Sequence, residues 1–112
     1  MNEMQSNPNA SPYMVMTGYE PITTFWQDFT IAEAFGISAI IETFDRCFKE
    51  WHNEYKYLTE FIMVLNHKCN YHYELGNFEV SDLYSDLFYK TQDYAYNNLK
   101  GKELEYCVST LD

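Results

Sequence analysis

From Ile37 onward, large apolar side chains return in alternating steps of four and three residues: Ile37, Ile41, Phe44, Phe48, Trp51, Tyr55, Leu58, Ile62 and Leu65, with Cys69 and His72 continuing the series. Residues three and four apart stack on one side of an α-helix, so such steps draw a single apolar stripe along it. Glu42–Arg46 and Asp45–Lys49 are favourable pairs four apart on the opposite, solvated face. No Gly or Pro interrupts residues 37–75. The pattern predicts one long central helix, with His52-Asn53 as the place where it can break. Unbroken, that helix would run about 55–60 Å at 1.5 Å per residue.

Upstream, Thr24 is expected to cap a first helix, with Gln27 at the reciprocal position three residues on. Phe25, Phe29 and Ala32 share a face of it, Phe35 lies at the edge, and Gly36 ends it. Downstream, Gly76-Asn77 reads as a turn, followed by a helix from Glu79 to Leu99 that buries Val80, Leu83, Leu87, Tyr94 and Ala95. Gly101 closes that helix, and Glu103 to Thr110 can form a last short one carrying Leu104, Cys107 and Val108. No segment alternates with period two for long. The expected fold is therefore all-α: a small antiparallel helical bundle on one long, breakable central helix. Residues 1–21, rich in Asn, Ser, Pro and Met, are expected to be a disordered tail, and 22–112 the helical domain.

Composition sharpens the picture of the core. The 112 residues include 11 Tyr, 8 Phe and 2 Trp, enough large rings for a substantial core in a short chain. Phe44, Phe48, Trp51 and Tyr55 are too bulky for a regular two-stranded coiled coil and suit a bundle core, within one chain or between two. Tyr71, Tyr73, Tyr84, Tyr89 and Tyr96 are a surplus that so small a domain cannot bury entirely. They form the candidate interaction surface, since exposed tyrosine is enriched where proteins meet.

The formal charge is −10, and the seven basic residues are dispersed, none before Arg46. Such a chain is expected to repel nucleic-acid backbones and anionic membranes. At 100° per residue, Glu79, Asp82, Asp86 and Asp93 fall within an arc of roughly 60° on one helix, a candidate acidic face that Lys90 dilutes. No stretch approaches the roughly 18 apolar residues needed to cross a membrane, and the N-terminus lacks the basic start and apolar run of a signal peptide. Cys47, Cys69 and Cys107, odd in number and without short spacing, read as reduced thiols. The expected location is the cytoplasm.

Candidate chemistry is sparse. His67 and His72 are five apart and diverge by about 140° on a helix. Cys69 and His72 can converge, but two ligands do not make a metal site. Glu50, His52 and Glu54 gather near the helix break, where a charged solvated face accounts for them equally well. No glycine-rich phosphate loop or nucleophile signature is present. No catalytic residue, metal or cofactor is expected.

The run Ile31-Ala32-Glu33-Ala34-Phe35-Gly36-Ile37-Ser38 resembles the first helix and turn of a DNA-binding helix-turn-helix, which needs close packing at Ala32 and a tight turn at Gly36. Glu42 and Asp45 stand where that family has apolar residues, and the groove-facing Ala39, Glu42 and Thr43 include no base, so a plain helical corner is the simpler reading. Over a longer span, Thr23-Thr24-Phe25-Trp26-Gln27-Asp28-Phe29, Phe35-Gly36-Ile37-Ser38-Ala39-Ile40 and the stretch Tyr57-Leu58-Thr59-Glu60 through Val64-Leu65-Asn66-His67-Lys68 resemble small proteins of unassigned activity on conjugative and other mobile elements of Bacteroides-type bacteria. That resemblance implies a bacterial accessory protein and transfers no site residues.

Together these features predict a non-catalytic, acidic helical module that binds an unidentified protein, with a homodimer as one form of the interaction. An acidic inhibitor imitating nucleic acid is the alternative, and a degenerate helix-turn-helix regulator the third reading.

Overall fold

The computed structural model describes residues 20–109, with side chains over 24–107. Among the described residues there are five helices: α1 Glu20–Glu33, α2 Ile37–Trp51, α3 Tyr55–Glu74, α4 Phe78–Asn98 and α5 Gly101–Ser109. None of the described residues forms a strand. The fold is a small all-α bundle. The expected tail over 1–21 lies outside the described residues except for Glu20 and Pro21, which α1 takes in. Thr24 therefore sits inside α1 rather than capping it. Pro21 explains the earlier start, because its missing N–H needs no partner in the first turn of a helix.

The long apolar stripe is divided where the sequence allows it. α2 ends at Trp51 and α3 begins at Tyr55. His52 still has helical backbone, its N–H donates to Phe48 O at 3.0 Å, and its ring Nδ1 lies 2.8 Å from the same carbonyl. Glu54 then turns extended, at φ −104° and ψ 108°. Neither His nor Asn is a strong helix former, and the aromatic packing favours the bend. His52 stacks on Phe48 at 5.1 Å, Tyr94 of α4 meets both rings edge-on, and Trp51 meets Tyr57 across the break at 4.7 Å. The molecule measures 41 × 32 × 25 Å, too short to hold the stripe as one straight helix. Freed from α3, α2 buries Ile40, Phe44 and Cys47, while Ile41 from the expected stripe is left exposed.

α3 is the central helix. Leu58, Thr59, Glu60, Phe61 and Ile62 are consecutive and all buried, as expected of a helix surrounded by others. Phe61 is the hub of the core: it packs edge-on against Phe25 at 5.1 Å and stacks with Phe29 and Phe44 at 6.1 and 5.5 Å. α1 runs parallel to α3, with Phe25 beside Phe61 at one end and Glu33 beside His72 at the other. α2 doubles back on α1, bringing Arg46 to Asp28 at 3.4 Å. α4 pairs antiparallel with α3 through Ser81, whose hydroxyl donates to Cys69 O at 2.8 Å. α5 is fastened to α3 where Cys107 Sγ meets Thr59 Oγ1 at 2.8 Å.

Two glycines make the turns at one end. Gly36 takes φ 115° and ψ −177°, a region essentially closed to other residues. Gly76, at φ 83°, caps α3: its N–H donates to Tyr73 O at 3.0 Å, and the Asn77 N–H donates to His72 O at 2.8 Å.

Two substitutions test this architecture by urea unfolding. Phe61→Ala should lower stability by about 3–5 kcal/mol, as expected for emptying an aromatic site in a packed core. Gly36→Ala meets open space at its new methyl, yet should cost about 1–3 kcal/mol through backbone strain alone.

Candidate functional site

The most concentrated polar chemistry in the described residues is a cluster on Glu33, the last residue of α1. Tyr84 of α4 donates its hydroxyl to Glu33 Oε2 at 2.6 Å. Lys68 of α3 brings its ammonium to 3.1 Å from the same oxygen, and His72 Nε2 lies 3.0 Å from it, at ion-pair distance but outside good hydrogen-bond alignment. Lys68 is 1% exposed. Its Nζ also donates to Thr30 Oγ1 at 2.7 Å and sits 4.1 Å from the centre of the Trp26 ring, which adds a cation–π contact. The Asn77 amide Nδ2 lies 3.2 Å from His72 Nδ1.

Electrostatics follow from that geometry. Burial by itself pushes the Glu33 carboxyl up, but the Tyr84 hydroxyl, His72 and the Lys68 ammonium outweigh it and hold the group below its ordinary value. Burial draws the Lys68 ammonium below its ordinary value, with Glu33 opposing the shift. Burial, reinforced by the adjacent carboxylate, pushes the Tyr84 hydroxyl up, so it remains a donor. The cluster is a structural lock that binds the ends of α1 and α3 to α4.

The lock brings two exposed corners to the same end of the bundle. Phe35, at the α1–α2 corner, is two residues past Glu33, and Leu75, at the α3–α4 turn, is three past His72. Ile31, Phe35, Tyr73, Leu75 and Phe78 are between 57% and 79% exposed, and Tyr73 meets Phe78 edge-on at 5.4 Å. Single exposed apolar residues are ordinary. Tyr73, Leu75 and Phe78 are neighbours around the α3–α4 turn, and Phe35 stands at the α1–α2 corner.

The tyrosines expected to form an interaction surface divide. Tyr71, Tyr73, Tyr89 and Tyr96 are exposed. Tyr84 is fully buried, a correction: it stacks on His72 at 5.7 Å, packs edge-on against Phe29 at 5.6 Å and spends its hydroxyl on Glu33. Only Tyr71 and Tyr73 belong to the apolar end. Tyr89 and Tyr96 lie about 16 and 27 Å farther along α4 from Phe78, at 1.5 Å per residue. The four acidic residues Glu79, Asp82, Asp86 and Asp93 are all exposed along α4, while the Lys90 ammonium leans toward the Phe44 ring at 5.5 Å.

The remaining candidates do not assemble. Cys69 and His72 take separate partners, Ser81 and the Glu33–Asn77 pair, and His67 is exposed. Among the described residues no three His, Cys, Asp or Glu side chains gather as a metal-binding group. Burial holds the Cys47 thiol up at about 11 and also raises that of Cys107, so neither presents a thiolate nucleophile at neutral pH. His52 is committed to Phe48 O and the aromatic packing of the break, with Glu50 and Glu54 exposed beside it. No helix of the described residues is long and apolar enough to cross a membrane.

The lock predicts a pH response. A carboxyl held below its ordinary value in the fold adds stability that is complete above about pH 4.5 and is lost as pH falls through its folded value. Thermal melts of the native chain should therefore fall off below that pH, and those of Glu33→Gln should be flatter there. At neutral pH Glu33→Gln should be less stable by roughly 3 kcal/mol, because the Lys68 ammonium keeps its burial and loses its anion.

No known protein family, curated protein or solved structure matches this chain, so the reading of its surface rests on its own geometry.

Proposed function

We propose that this protein is a non-catalytic, acidic helical module that binds another protein through the apolar end formed by the α1–α2 corner and the α3–α4 turn. The observation that carries this reading is the exposure of Phe35, Tyr73, Leu75 and Phe78 at the two corners that the Glu33 cluster holds together. A mobile end would collapse such side chains inward. Here the Glu33 lock and the two glycine turns keep them outward, which lowers the ordering cost of binding. An accessory role on a bacterial mobile element, in the cytoplasm, is the setting that the resemblance carried by residues 23–29, 35–40 and 57–68 supports.

A second reading, an inhibitor imitating nucleic acid, is favoured by one observation: Glu79, Asp82, Asp86 and Asp93 all face solvent along a single helix. The helix-turn-helix reading gains less. α2 turns Glu42 and Asp45 to solvent, placing carboxylates where DNA phosphates would have to lie.

The test is a paired variant, Phe35→Glu with Phe78→Glu, at positions exposed enough to leave the fold and its circular dichroism unchanged. Cross-linking in the native cell should show a complex with another protein for the native chain and none for the variant. Association that the variant leaves intact would move the interface elsewhere. Replacing Asp86 and Asp93, the two of these carboxylates farther along α4 from the apolar end, by their amides should leave that association in place, whereas loss only in this second variant would favour the mimic.

A further inference from the structure

We infer that the occupant of the apolar end is a cationic amphipathic segment of a different protein, not a second copy of this chain. The inference rests on the interaction-module reading and adds the chemistry of the partner. Its basis is the sign of every charge around the end. Glu42 on α2, Glu74 at the end of α3, and Glu79 and Asp82 at the start of α4 are all exposed there. From Ile31 to Asp45 the chain contains no Lys or Arg, and from His67 to Tyr89 it contains only Lys68, which is buried against Glu33. His67 and the buried His72 are the other basic side chains in these stretches.

The exposed cations lie elsewhere. Arg46 is directed to Asp28, Lys49 is near the end of α2, Lys56 begins α3, and Lys100 and Lys102 flank the start of α5. Lys90 is about 18 Å along α4 from Phe78, at 1.5 Å per residue. On its α3–α4 side the apolar end is thus rimmed by Glu74, Glu79 and Asp82 with no exposed Lys or Arg within the same turns, while Glu42 has Arg46 one turn on.

That asymmetry selects the partner. Two copies meeting through this end must be related by a two-fold axis, so each acidic rim faces its own duplicate. Like charges so juxtaposed oppose association. A head-to-tail contact gains little, because the opposite end carries Lys56, Lys100 and Lys102 together with Glu54, Glu103 and Glu105. Apolar side chains flanked by Lys or Arg satisfy both the exposed rings and the rim. The rim then supplies specificity and on-rate, and the rings supply the area buried.

A random peptide display library, selected on the full chain and counter-selected on the Phe35→Glu, Phe78→Glu variant, provides the probe. Selected peptides should combine large apolar residues with several flanking Lys or Arg. A synthetic peptide of the selected sequence should bind about tenfold more weakly at physiological than at low ionic strength. It should lose at least about as much affinity on the variant Glu42→Lys, Glu74→Lys, Glu79→Lys, Asp82→Lys, while Leu75→Ser, a milder change, weakens it without altering the salt dependence.

Selected peptides with neutral or acidic flanks, or affinity indifferent to the four lysines, would overturn the cationic partner and leave the module reading standing. A native dimer dissolved by the Phe35, Phe78 variant would assign the end to a second copy. A photo-crosslinker in place of Leu75 that captures residues 1–19 of the same chain would assign it to the protein's own N-terminal segment. Either result ends the proposal. If counter-selection depletes no peptide at all, the module reading falls with it.

Discussion

An ammonium group that is 1% exposed must be given a counter-charge and a full set of acceptors, or the chain will not bury it. Lys68 sets that condition, and the upper half of the bundle is arranged to meet it. Glu33 supplies the charge, Thr30 an acceptor and Trp26 a ring face, all three from α1. The carboxylate in turn needs more donors than one lysine provides, and Tyr84 and His72 complete it from α4 and α3. Three helices are thereby tied at one oxygen atom. Apolar packing around Phe61 holds the same helices at mid-height, but it is tolerant of small rotations. The lock is not, because a hydrogen bond of 2.6 Å admits little movement.

Much of the fold was legible in the spacing of apolar residues. The stripe from Ile37 to His72 identified the helices, and its weak point at His52-Asn53 is where the chain bends. What the stripe could not convey was that its two halves turn independently once separated. Ile41 is consequently exposed and Ile40 buried, a rotation of one residue that no periodicity in a continuous helix would reveal. The boundary at Thr24 was misplaced because a capping residue and a proline compete as helix starts, and only the backbone shows that Pro21 is already inside α1.

The functional surface was less legible, for a physical reason. Tyrosine is amphipathic, so its number tells how many must compromise between core and solvent but not which. Tyr84 was indistinguishable from Tyr89 until Glu33 appeared beside its hydroxyl. Lys68 and Glu33 could have been flagged by position alone: Lys68 follows Leu65 by three and Val64 by four, and Glu33 follows Phe29 by four, so each adjoins a buried stripe. Apolar residues beside turn glycines, such as Phe35 and Leu75, carried a signal too. Helix periodicity passes over them because they sit where helices stop.

The parallel run of α1 beside α3 has a consequence for assembly. Its contacts join residues far apart in the chain: Thr30 to Lys68 spans 38 positions and Glu33 to Tyr84 spans 51. The α3–α4 hairpin, by contrast, closes over the short turn at Gly76. Loops that long are expensive to close early, so the hairpin should form before α1 docks on it. Until it does, Lys68 is without an anion and the hairpin is incomplete. Pulsed amide exchange during refolding would register this as protection in α3 and α4 ahead of α1. A nascent chain leaving the ribosome must therefore keep α1 waiting, paired at most with α2, until the α3–α4 hairpin has emerged.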